Sequence, residues 1–449
     1  MLNQILAIDI GSSKISALIA QKNENDELKI IGAGIAKSNG LKKGVITNID
    51  LASKSIKNAL NDAKRVAGTN INSAIVSISG AYTKSINSNG IVNIPNKEIT
   101  INEINRVMQT ALYNANIPNE YEILHALPYN FKVDDQDSIE DPNGMNGGRL
   151  EVDVHIITTQ KSNLLNLKKA VKSAGVKIKN IVLSGYASSI AVLNEDEKEL
   201  GVGVIDMGAA TSNIVIHIGN SIRYNDYLGV GSNHITNDLS MALHTPLSTA
   251  EKIKLEYGSL KNPKNEIIEI PVIGDENSTQ EVSLEIVYNV IYARVEETLM
   301  ILAKSIEKSG LKEQMGAGIV LTGGMSRLDG IRELAAAIFD NMPVRIAKPK
   351  KIEGMFKELD NPIFSTAIGL ILYGAGKFTQ YEIDSNKKLR HHIEELEKNE
   401  ILQSTSENLS NLVENKPSEM QELTKLPEEE KEDMQKKFSK MFRWVTQLF

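Results

Sequence analysis

The chain has 449 residues, of which 41% are hydrophobic and 24% charged, a composition typical of a water-soluble globular protein with about two or three domains. Its net charge of -7 argues against general affinity for nucleic acid, so any basic binding site should be local. The absence of cysteine excludes disulfides, thiolate zinc sites and a cysteine nucleophile.

The first predicted strand lies in MLNQILAIDIG. This segment lacks a basic region, and Asp9 interrupts its apolar run, so we do not expect a signal peptide. No stretch of the sequence approaches the roughly 18 apolar residues that are needed to cross a bilayer. The sequence therefore predicts a cytoplasmic protein.

Strand-like and helix-like segments alternate along the chain. In residues 1–82, ILAIDI, SKISALIA and KIIGAGIAKS predict a β-meander, DLASKSIKNALNDAKRVAG an amphipathic helix ending at Gly68, and SAIVSISG a strand. Residues 83–161 form a locally complete unit, with a helical TINEINRVMQTALYNAN and a strand-like RLEVDVHIITT, and are predicted to be an inserted subdomain. Residues 162–199 resume the first pattern with SNLLNLKKAVKSAG, IKNIVLS and the helix GYASSIAVLN.

The opening unit then occurs a second time. GVGVIDMGAATSNIVIHIG, from Gly201 to Gly219, repeats the hydrophobic strand, acidic residue, small-residue turn and strand of ILAIDIGSSKISALIA. Two copies of one unit imply two similar α/β domains that face each other across a cleft.

Each copy places a turn of small residues after a strand. Backbone N–H groups can converge on an anion there, because no bulky side chain blocks the approach. Asp9 and Asp206 stand at the two strand ends, where carboxylates can hold Mg2+ through its waters. We therefore expect the two turns to bind phosphate groups; their residues are Gly11, Ser12, Ser13 and Lys14 in the first copy and Gly208, Ala209, Ala210 and Thr211 in the second.

Two further segments fit the same ligand. IVLTGGMSRLDGI predicts a buried strand, the pair Gly323 and Gly324, and a helix whose N-terminus is open to a ligand. In TAEKIKLEYG, Glu251 and Lys254 share one helix face, where they could clamp a ribose and the edge of a base. Taken alone, the same pair also fits a solvent-exposed ion pair.

The composition changes near the C-terminal end. Residues 381–433 are dominated by Glu, Lys, Asn and Ser, and no glycine occurs after residue 376. Because this stretch has few apolar side chains to offset the entropy of ordering, we predict a disordered linker. A solvated helix that packs on the body is the alternative.

Residues 434–449 predict an amphipathic helix that lies on a membrane surface. Its apolar side chains fall within about 120° of arc, its basic side chains fall on the opposite side, and Trp444 lies at the flank, at headgroup level. The apolar residues are Met434, Phe438, Met441, Phe442, Val445, Leu448 and Phe449, and the basic ones are Lys436, Lys437, Lys440 and Arg443. Docking on the chain's own body or in a partner's groove is the alternative.

The order of phosphate turn, repeated turn, Glu/Lys helix and Gly-Gly strand resembles the actin-like ATPase superfamily, which also includes sugar kinases and heat-shock chaperones. Within it, the chain resembles the FtsA family of bacterial cell-division proteins in VDDQDSIEDPNGMNGGRLEVDVHIIT (133–158), SGAY (79–82) and GSNHITNDL (231–239). The resemblance implies an α/β actin-like ATPase fold with two related domains around a nucleotide cleft. It assigns residues 1–82 and 162–199 to the first domain, 83–161 to an FtsA-type inserted subdomain, 200–226 and 305–380 to the second domain, and 227–304 to its outer lobe.

By the same resemblance, the chain binds ATP with Mg2+, and Gly231 and Met325 join the cofactor-binding residues. The resemblance further implies self-association into filaments, a place at the cytoplasmic face of the cell membrane at the division site, and contacts with anionic lipids and other division proteins. It also implies a contact with the tubulin-like ring protein FtsZ. We assign that contact to Arg294, Glu296 and Glu297 in the helix VYNVIYARVEETLMILAKSIEKSG, for which an ordinary amphipathic helix is the alternative.

One position departs from the pattern of the superfamily. Chaperone-type members open the helix between the halves with a glutamate that helps to align the attacking water, whereas Ser184 holds that place here. Serine is a poor general base, so we expect at most a slow ATPase with an adaptor role. The alternatives are a pilus-assembly-type actin homologue that binds a membrane partner's peptide, and a sugar-kinase-like phosphotransferase, for which the sequence offers no convincing aspartate base.

Overall fold

The computed structural model describes residues 3–23, 27–262 and 265–392. Its first segment contains β1 (Asn3–Ile10), β2 (Lys14–Lys22), β3 (Leu28–Lys37), β4 (Leu41–Lys42), β5 (Val45–Ile46), α1 (Ile49–Ala67) and β6 (Ser73–Ile78). The Asn48 side chain accepts a hydrogen bond from the Leu51 N–H at the start of α1, and Gly68, with a φ of 64°, ends the helix. Helix α1 lies close on β3, because a Cβ at Gly34 would come within 2.0 Å of the Ala59 carbonyl oxygen.

An inserted α+β subdomain follows, with β7 (Thr83–Asn93), α2 (Ile101–Asn114), β8 (Tyr121–Val133), β9 (Gln136–Ile139) and β10 (Arg149–Gln160). Its antiparallel sheet has the strand order β7-β10-β8-β9. Helix α2 begins with a capping box between Thr100 and Glu103 and buries Ile104 and Met108 against the sheet. The subdomain therefore has a hydrophobic core of its own, and the predicted insertion is confirmed.

The chain then returns to the first sheet through α3 (Lys161–Ser173), β11 (Lys177–Leu183), α4 (Ser184–Val192) and α5 (Glu195–Leu200). The complete first sheet has the order β11-β6-β1-β2-β3. In it, β1 pairs antiparallel with β2 and parallel with β6. The turn between β1 and β2 consequently lies beside the carboxyl end of β6, where a ligand site is expected in an α/β sheet.

The second half comprises β12 (Val202–Met207), β13 (Ser212–Ile218), β14 (Ser221–Leu228), α6 (Ser232–Ala242), α7 (Leu247–Tyr257), β15 (Ile267–Val272), β16 (Asp275–Ser283), α8 (Leu284–Ser309), β17 (Ile319–Thr322), α9 (Ile331–Ile338), β18 (Val344–Ile346) and α10 (Ser365–Gly374). Its sheet has the order β14-β13-β12-β17-β18, and β12 pairs antiparallel with β13 and parallel with β17. This is the arrangement of β1 with β2 and β6, so the duplication that the sequence predicts is confirmed.

Helices α4 and α10 form the buried layer between the two sheets. They pack closely, because a Cβ at Gly369 would lie 1.7 Å from the Ala187 carbonyl oxygen. Within the described residues, no helix is long and apolar enough to cross a membrane.

The chain continues past α10 into a segment that we call the strap, residues 379–390. Ile383 exchanges both backbone hydrogen bonds with Ala126 of β8, each at 2.9 Å, and the ring of Tyr381 packs against Phe131 of the insert. The predicted linker, residues 381–433, is therefore wrong for 381–390, because the polar groups of these residues find buried partners in the body. Residues 393–433 and the predicted helix of residues 434–449 lie outside the described residues.

The centre of the strap is a buried carboxylate. Glu382 accepts hydrogen bonds from the hydroxyls of Tyr186, at 2.9 Å, and Tyr373, and the Arg390 guanidinium lies 3.6 Å away. Burial raises the pKa of the Glu382 carboxyl to about 7, although the nearby guanidinium opposes the shift. The strap is therefore held by polar contacts as well as by apolar packing.

This carboxylate predicts a pH dependence of stability. Because the folded chain keeps a proton on Glu382 that the unfolded chain releases near pH 4.5, the free energy of unfolding should fall between pH 4.5 and about 7. The loss is at most about 3 kcal/mol. Glu382→Gln cannot titrate, so urea unfolding at several pH values should show a shallower decrease in the variant. Equal slopes in the two chains would contradict the assignment.

Candidate functional site

A cleft lies between the two sheets, and the β1–β2 turn faces the β12–β13 turn across it. The cavity has a volume of about 350 Å³, which is within the range of small-molecule sites. Of the residues that the sequence singles out, those that line it are Asp9, Gly11, Ser12, Ser13, Lys14, Ser184, Asp206, Gly208, Ala209, Thr211, Glu251, Lys254, Gly323, Gly324 and Met325. Segments that are far apart in the sequence thus converge on one cavity.

The two aspartates end equivalent strands and are both buried. The Ser77 hydroxyl donates a hydrogen bond to Asp9 at 2.9 Å, and the Thr366 hydroxyl donates one to Asp206 at 3.2 Å. Burial raises the pKa of Asp9, whereas burial and then the charge of Asp9 raise the pKa of Asp206 to about 6. Burial thus disfavours the charged form of both carboxylates, the Lys14 amine opposes this shift, and a bound cation would stabilise the charged pair further.

Lys14 brings a buried amine to the same cavity. Within the described residues, its Nζ has no hydrogen-bond partner, and it lies 3.2 Å from the centroid of the Phe364 ring. Burial lowers the pKa of this amine to about 8. A buried donor without an acceptor, beside two turns rich in backbone N–H groups, fits a phosphate ligand.

The same donor set bears on a metal ion. The described residues contain no cluster of three or more His, Cys, Asp and Glu side chains that could hold one. Two carboxylates are nevertheless enough for Mg2+, which keeps several waters and takes its other ligands from substrate phosphates. The residues present therefore fit magnesium that enters with a phosphate ligand.

Glu251 and Lys254 form a partly buried pair in α7. The Lys254 Nζ lies 2.7 Å from the Glu251 carboxylate, and the two side chains are 8% and 43% exposed. The Thr236 hydroxyl of α6 donates to the same carboxylate at 2.5 Å. The alternative of a fully solvent-exposed ion pair is therefore wrong for the lysine, since its stem and amine are held between two helices.

The segment after Gly323 differs from the prediction. Gly323 has a φ of 86°, and a Cβ there would lie 2.4 Å from the Asp206 carboxylate, so glycine is required. The next residues form a single 3-10 turn, Gly324–Arg327, and the α-helix begins only at Ile331, after Gly330. The predicted helix is therefore present, but its α-helical part begins seven residues after Gly324, because Gly330 adopts a left-handed backbone conformation, with a φ of 87°, just before it.

Two of the expected cofactor residues do not line the cavity. Ala210 is buried, and Gly231 lies behind the second turn, where a Cβ would come within 2.6 Å of the Gly208 carbonyl oxygen. Other cavity residues were missed, among them Gly44, Ser79, Ser232 and Thr366. Ser79 and Ser232 lie inside the motifs SGAY and GSNHITNDL, so these motifs could have indicated that the two serines belong to the site.

The residues expected to contact FtsZ lie on α8, away from the cavity. Arg294 pairs with Asp238 of α6 at 2.5 Å and also with Glu297, which is 57% exposed. Arg294 thus links α8 to α6, and Glu297 is the more accessible side chain of the two.

These features define the class of the protein. Two duplicated halves of matching strand order enclose a cleft with paired phosphate-type turns, paired carboxylates and a buried amine, which is the architecture of an actin-like ATPase. Solved structures agree on the fold. One described as the PilM-PilN type IV pilus biogenesis complex has a TM-score of 0.59 at 17% identity, covering 83% of this chain and 98% of that chain. MreB5 of Spiroplasma citri bound to ADP has a TM-score of 0.51 at 14% identity, covering 83% and 96%.

Sequence comparisons identify the family. A profile described as "Cell division protein FtsA" matches residues 203–369, and one described as "SHS2 domain inserted in FTSA" matches residues 80–158. Cell division protein FtsA of Helicobacter pylori (strain ATCC 700392 / 26695) is 43% identical over 420 residues, covering 86% of this chain and 85% of the relative. That of Escherichia coli (strain K12) is 31% identical over 394 residues, covering 86% and 93%. The chain belongs to the FtsA family of cell division proteins.

Proposed function

We propose that this chain binds ATP with Mg2+ in its cleft, polymerises on the inner surface of the cell membrane and tethers the FtsZ ring there. The observation that carries the proposal is the cleft of an FtsA-family chain, with two phosphate-type turns and the buried amine of Lys14, which has no hydrogen-bond partner in the part of the chain that the structure describes. The alternative of a pilus-assembly homologue has less support, because the likeness to PilM-PilN extends to the fold alone at 17% identity.

The nucleotide is proposed to lie along the whole cavity. The turns after β1 and β12 would hold the phosphates through backbone N–H groups, and Lys14 would neutralise them. Asp9 and Asp206 would hold Mg2+ through its waters, and the pair of Glu251 and Lys254 would contact the ribose and the base edge. MreB5 of Spiroplasma citri, which has the same fold, was solved bound to ADP, and this supports a nucleotide as the class of ligand.

We propose that hydrolysis is slow. The hydroxyl of Ser184, the residue in the place of the water-aligning glutamate, donates to the Ile78 carbonyl oxygen at 3.0 Å, so it is occupied by a structural contact. The carboxylates that line the cavity are Asp9, Asp206 and Glu251, which the proposal assigns to magnesium and ribose. A sugar-kinase-like reaction would need a further base for the substrate hydroxyl.

Membrane attachment is proposed for residues 434–449. Burial of about six large apolar side chains contributes on the order of 1.5 to 3 kcal/mol each, and each nearby base adds about 1 kcal/mol on an anionic leaflet. Ordering the helix costs roughly 1 to 2 kcal/mol per residue. The net affinity of one tail is therefore modest, and a filament would bind through many tails at once.

The FtsZ contact is proposed for the exposed side of α8. Because Arg294 is engaged with Asp238 and Glu297, we propose that it positions α8, and that Glu297 and its neighbour Glu296 face the partner. We further propose that other division proteins bind to the inserted subdomain.

Vesicle flotation tests the proposed function. With ATP, Mg2+ and vesicles that contain phosphatidylglycerol, we expect the chain and FtsZ to float together, because the tail holds the chain on lipid and the body holds FtsZ. Deletion of residues 434–449 should leave both proteins in the bottom fraction while calorimetry still detects ATP binding. An equally long deletion from the predicted linker, residues 405–420, is the control and should float. If the chain that lacks residues 434–449 still floats, then these residues are not the membrane anchor. If the full chain floats while FtsZ stays in the bottom fraction, then the chain does not tether FtsZ.

A further inference from the structure

A dense group of lysines lies on the surface of the first half, outside the cleft. Residues 161–180 contain no aspartate or glutamate, although the whole chain has a net charge of -7. The lysines of this stretch are all exposed, on α3 and on the strand β11 that follows it. We call them the lysine face: Lys161, Lys168, Lys169, Lys172, Lys177 and Lys179.

Helical periodicity places the α3 lysines together. Leu164 and Leu167 of α3 are buried against the body. At about 100° per residue, the four lysines of the helix fall within roughly 100° of arc on the opposite side. Leu165, which is 63% exposed, lies among them. The outer side of α3 is therefore basic, with one apolar side chain at its centre.

One exposed acid, Glu120, adjoins the lysine face, since its carbonyl oxygen accepts a hydrogen bond from the Lys161 N–H at 2.9 Å. Within the described part of the chain, none of the amines of the lysine face forms an ion pair. In the elements that pack on α3 and β11, Asp62 of α1 pairs with Arg65 at 3.1 Å and Glu122 of β8 pairs with Lys387 at 3.1 Å. Uncompensated charge of this kind attracts an anionic surface within a Debye length of about 10 Å.

The strap runs beside the lysine face. The Asn386 side chain donates to the Lys179 carbonyl oxygen at 2.9 Å, and the Ser385 hydroxyl accepts from the Ile181 N–H at 2.9 Å. The strap thus covers the outer edge of β11 and adds the exposed Lys388 to the same region.

We propose that the lysine face binds the headgroups of anionic phospholipids as a second membrane contact of the body. The proposal rests on the membrane association proposed above, and it selects the side of the body that faces the bilayer. A lipid surface fits better than nucleic acid because the rest of the chain is acidic, and because exposed Leu165 can enter the headgroup region between the lysines. The contact is electrostatic, so it requires anionic lipid and weakens with salt.

The test compares full-length chains on two kinds of vesicle, phosphatidylcholine alone and phosphatidylcholine with phosphatidylglycerol. In the variant Lys168→Gln/Lys169→Gln/Lys172→Gln, three charges are removed, and glutamine keeps the helix propensity. We expect its apparent affinity for the anionic vesicles to fall by about 10- to 100-fold, since each of the three lysines contributes roughly fivefold at most near an anionic leaflet. Its binding to phosphatidylcholine vesicles should not change.

The matched control is Lys252→Gln/Lys304→Gln/Lys308→Gln, which removes three exposed lysines from the second half and should bind anionic vesicles like the parent chain. Equal binding by the lysine-face variant and the parent would overturn the proposal. Normal vesicle binding with lost capture of FtsZ would also overturn it and assign the face to an acidic protein. The proposed anchor is tested separately by deleting residues 434–449. If the shortened chain still floats, then residues 434–449 are not the anchor. If its vesicle binding is weakened by the three lysine substitutions, then the lysine face binds lipid independently of the tail.

Discussion

Replacing Glu382 by alanine is expected to lower the free energy of unfolding by about 4 kcal/mol. The substitution removes the acceptor of two buried tyrosine hydroxyls, Tyr186 and Tyr373, and leaves the Arg390 guanidinium without the carboxylate that lies 3.6 Å from it. Loss of a buried hydrogen-bond acceptor and loss of a carboxylate beside a guanidinium both destabilise the folded state. Urea unfolding of the full chain, followed by tyrosine fluorescence and circular dichroism, measures the loss.

A matched control separates the buried cluster from a general effect of losing a carboxylate. Glu358 is exposed in the 3-10 turn Lys357–Leu359, which precedes α10. The free energy of unfolding of Glu358→Ala should therefore stay within about 0.5 kcal/mol of that of the parent. If both alanine variants lose equally little stability, then the strap does not hold the body, and the segment from residue 381 onward behaves as the linker that its composition predicts.

The ordered structure of the strap could not be predicted from its local sequence. Glu382 and Asp384 stand in a polar stretch that is compositionally like the residues after it, and their partners, Asn180 and Tyr186, lie about 200 positions earlier in the chain. Nothing local distinguishes a carboxylate that will be buried by such partners from one that stays in solvent. A prediction based on the average polarity of a window therefore placed the end of the body too early.

The duplicated halves could be predicted for the opposite reason. Strands β1 and β12 are continuous apolar runs buried on both faces, and each ends in an aspartate followed by a turn of small residues. Here the signal is local, and its repetition at Asp9 and Asp206 is independent support. The sequence thus predicted the cleft and about half of its lining, whereas side chains such as Thr366, whose place depends on how α10 packs, required the structure.

The 3-10 turn after Gly323 is an intermediate case. The sequence contains a turn-forming pair, Asp329-Gly330, before the helix, and Gly330 adopts a φ of 87°. An Asp-Gly pair favours such a turn, so the delayed start of the helix had a visible signal. The close approach of Gly323 to the Asp206 carboxylate depends on the packing of β17 beside β12 and could not be derived from the segment itself.

Replacing Lys14 by methionine is expected to weaken ATP binding between about 10- and 100-fold, because a buried charged hydrogen bond to phosphate contributes about 1.5 to 3 kcal/mol. Methionine keeps the apolar stem against Phe364, and folding should be preserved, since the amine has no hydrogen-bond partner among the described residues. Isothermal titration calorimetry with ATP and Mg2+ measures the affinity, and the variant Lys54→Met, which replaces an exposed lysine of α1, is the control.

The same substitution should remove a pH dependence of ATP binding. Burial lowers the pKa of the Lys14 amine to about 8 in the free chain, so above pH 8 the parent must take up a proton to bind phosphate. The affinity of the parent should therefore fall above pH 8, while that of the methionine variant stays level. Affinities that agree between parent and variant, or a pH dependence that survives the substitution, would place the phosphates away from Lys14 and remove the central contact of the proposed site.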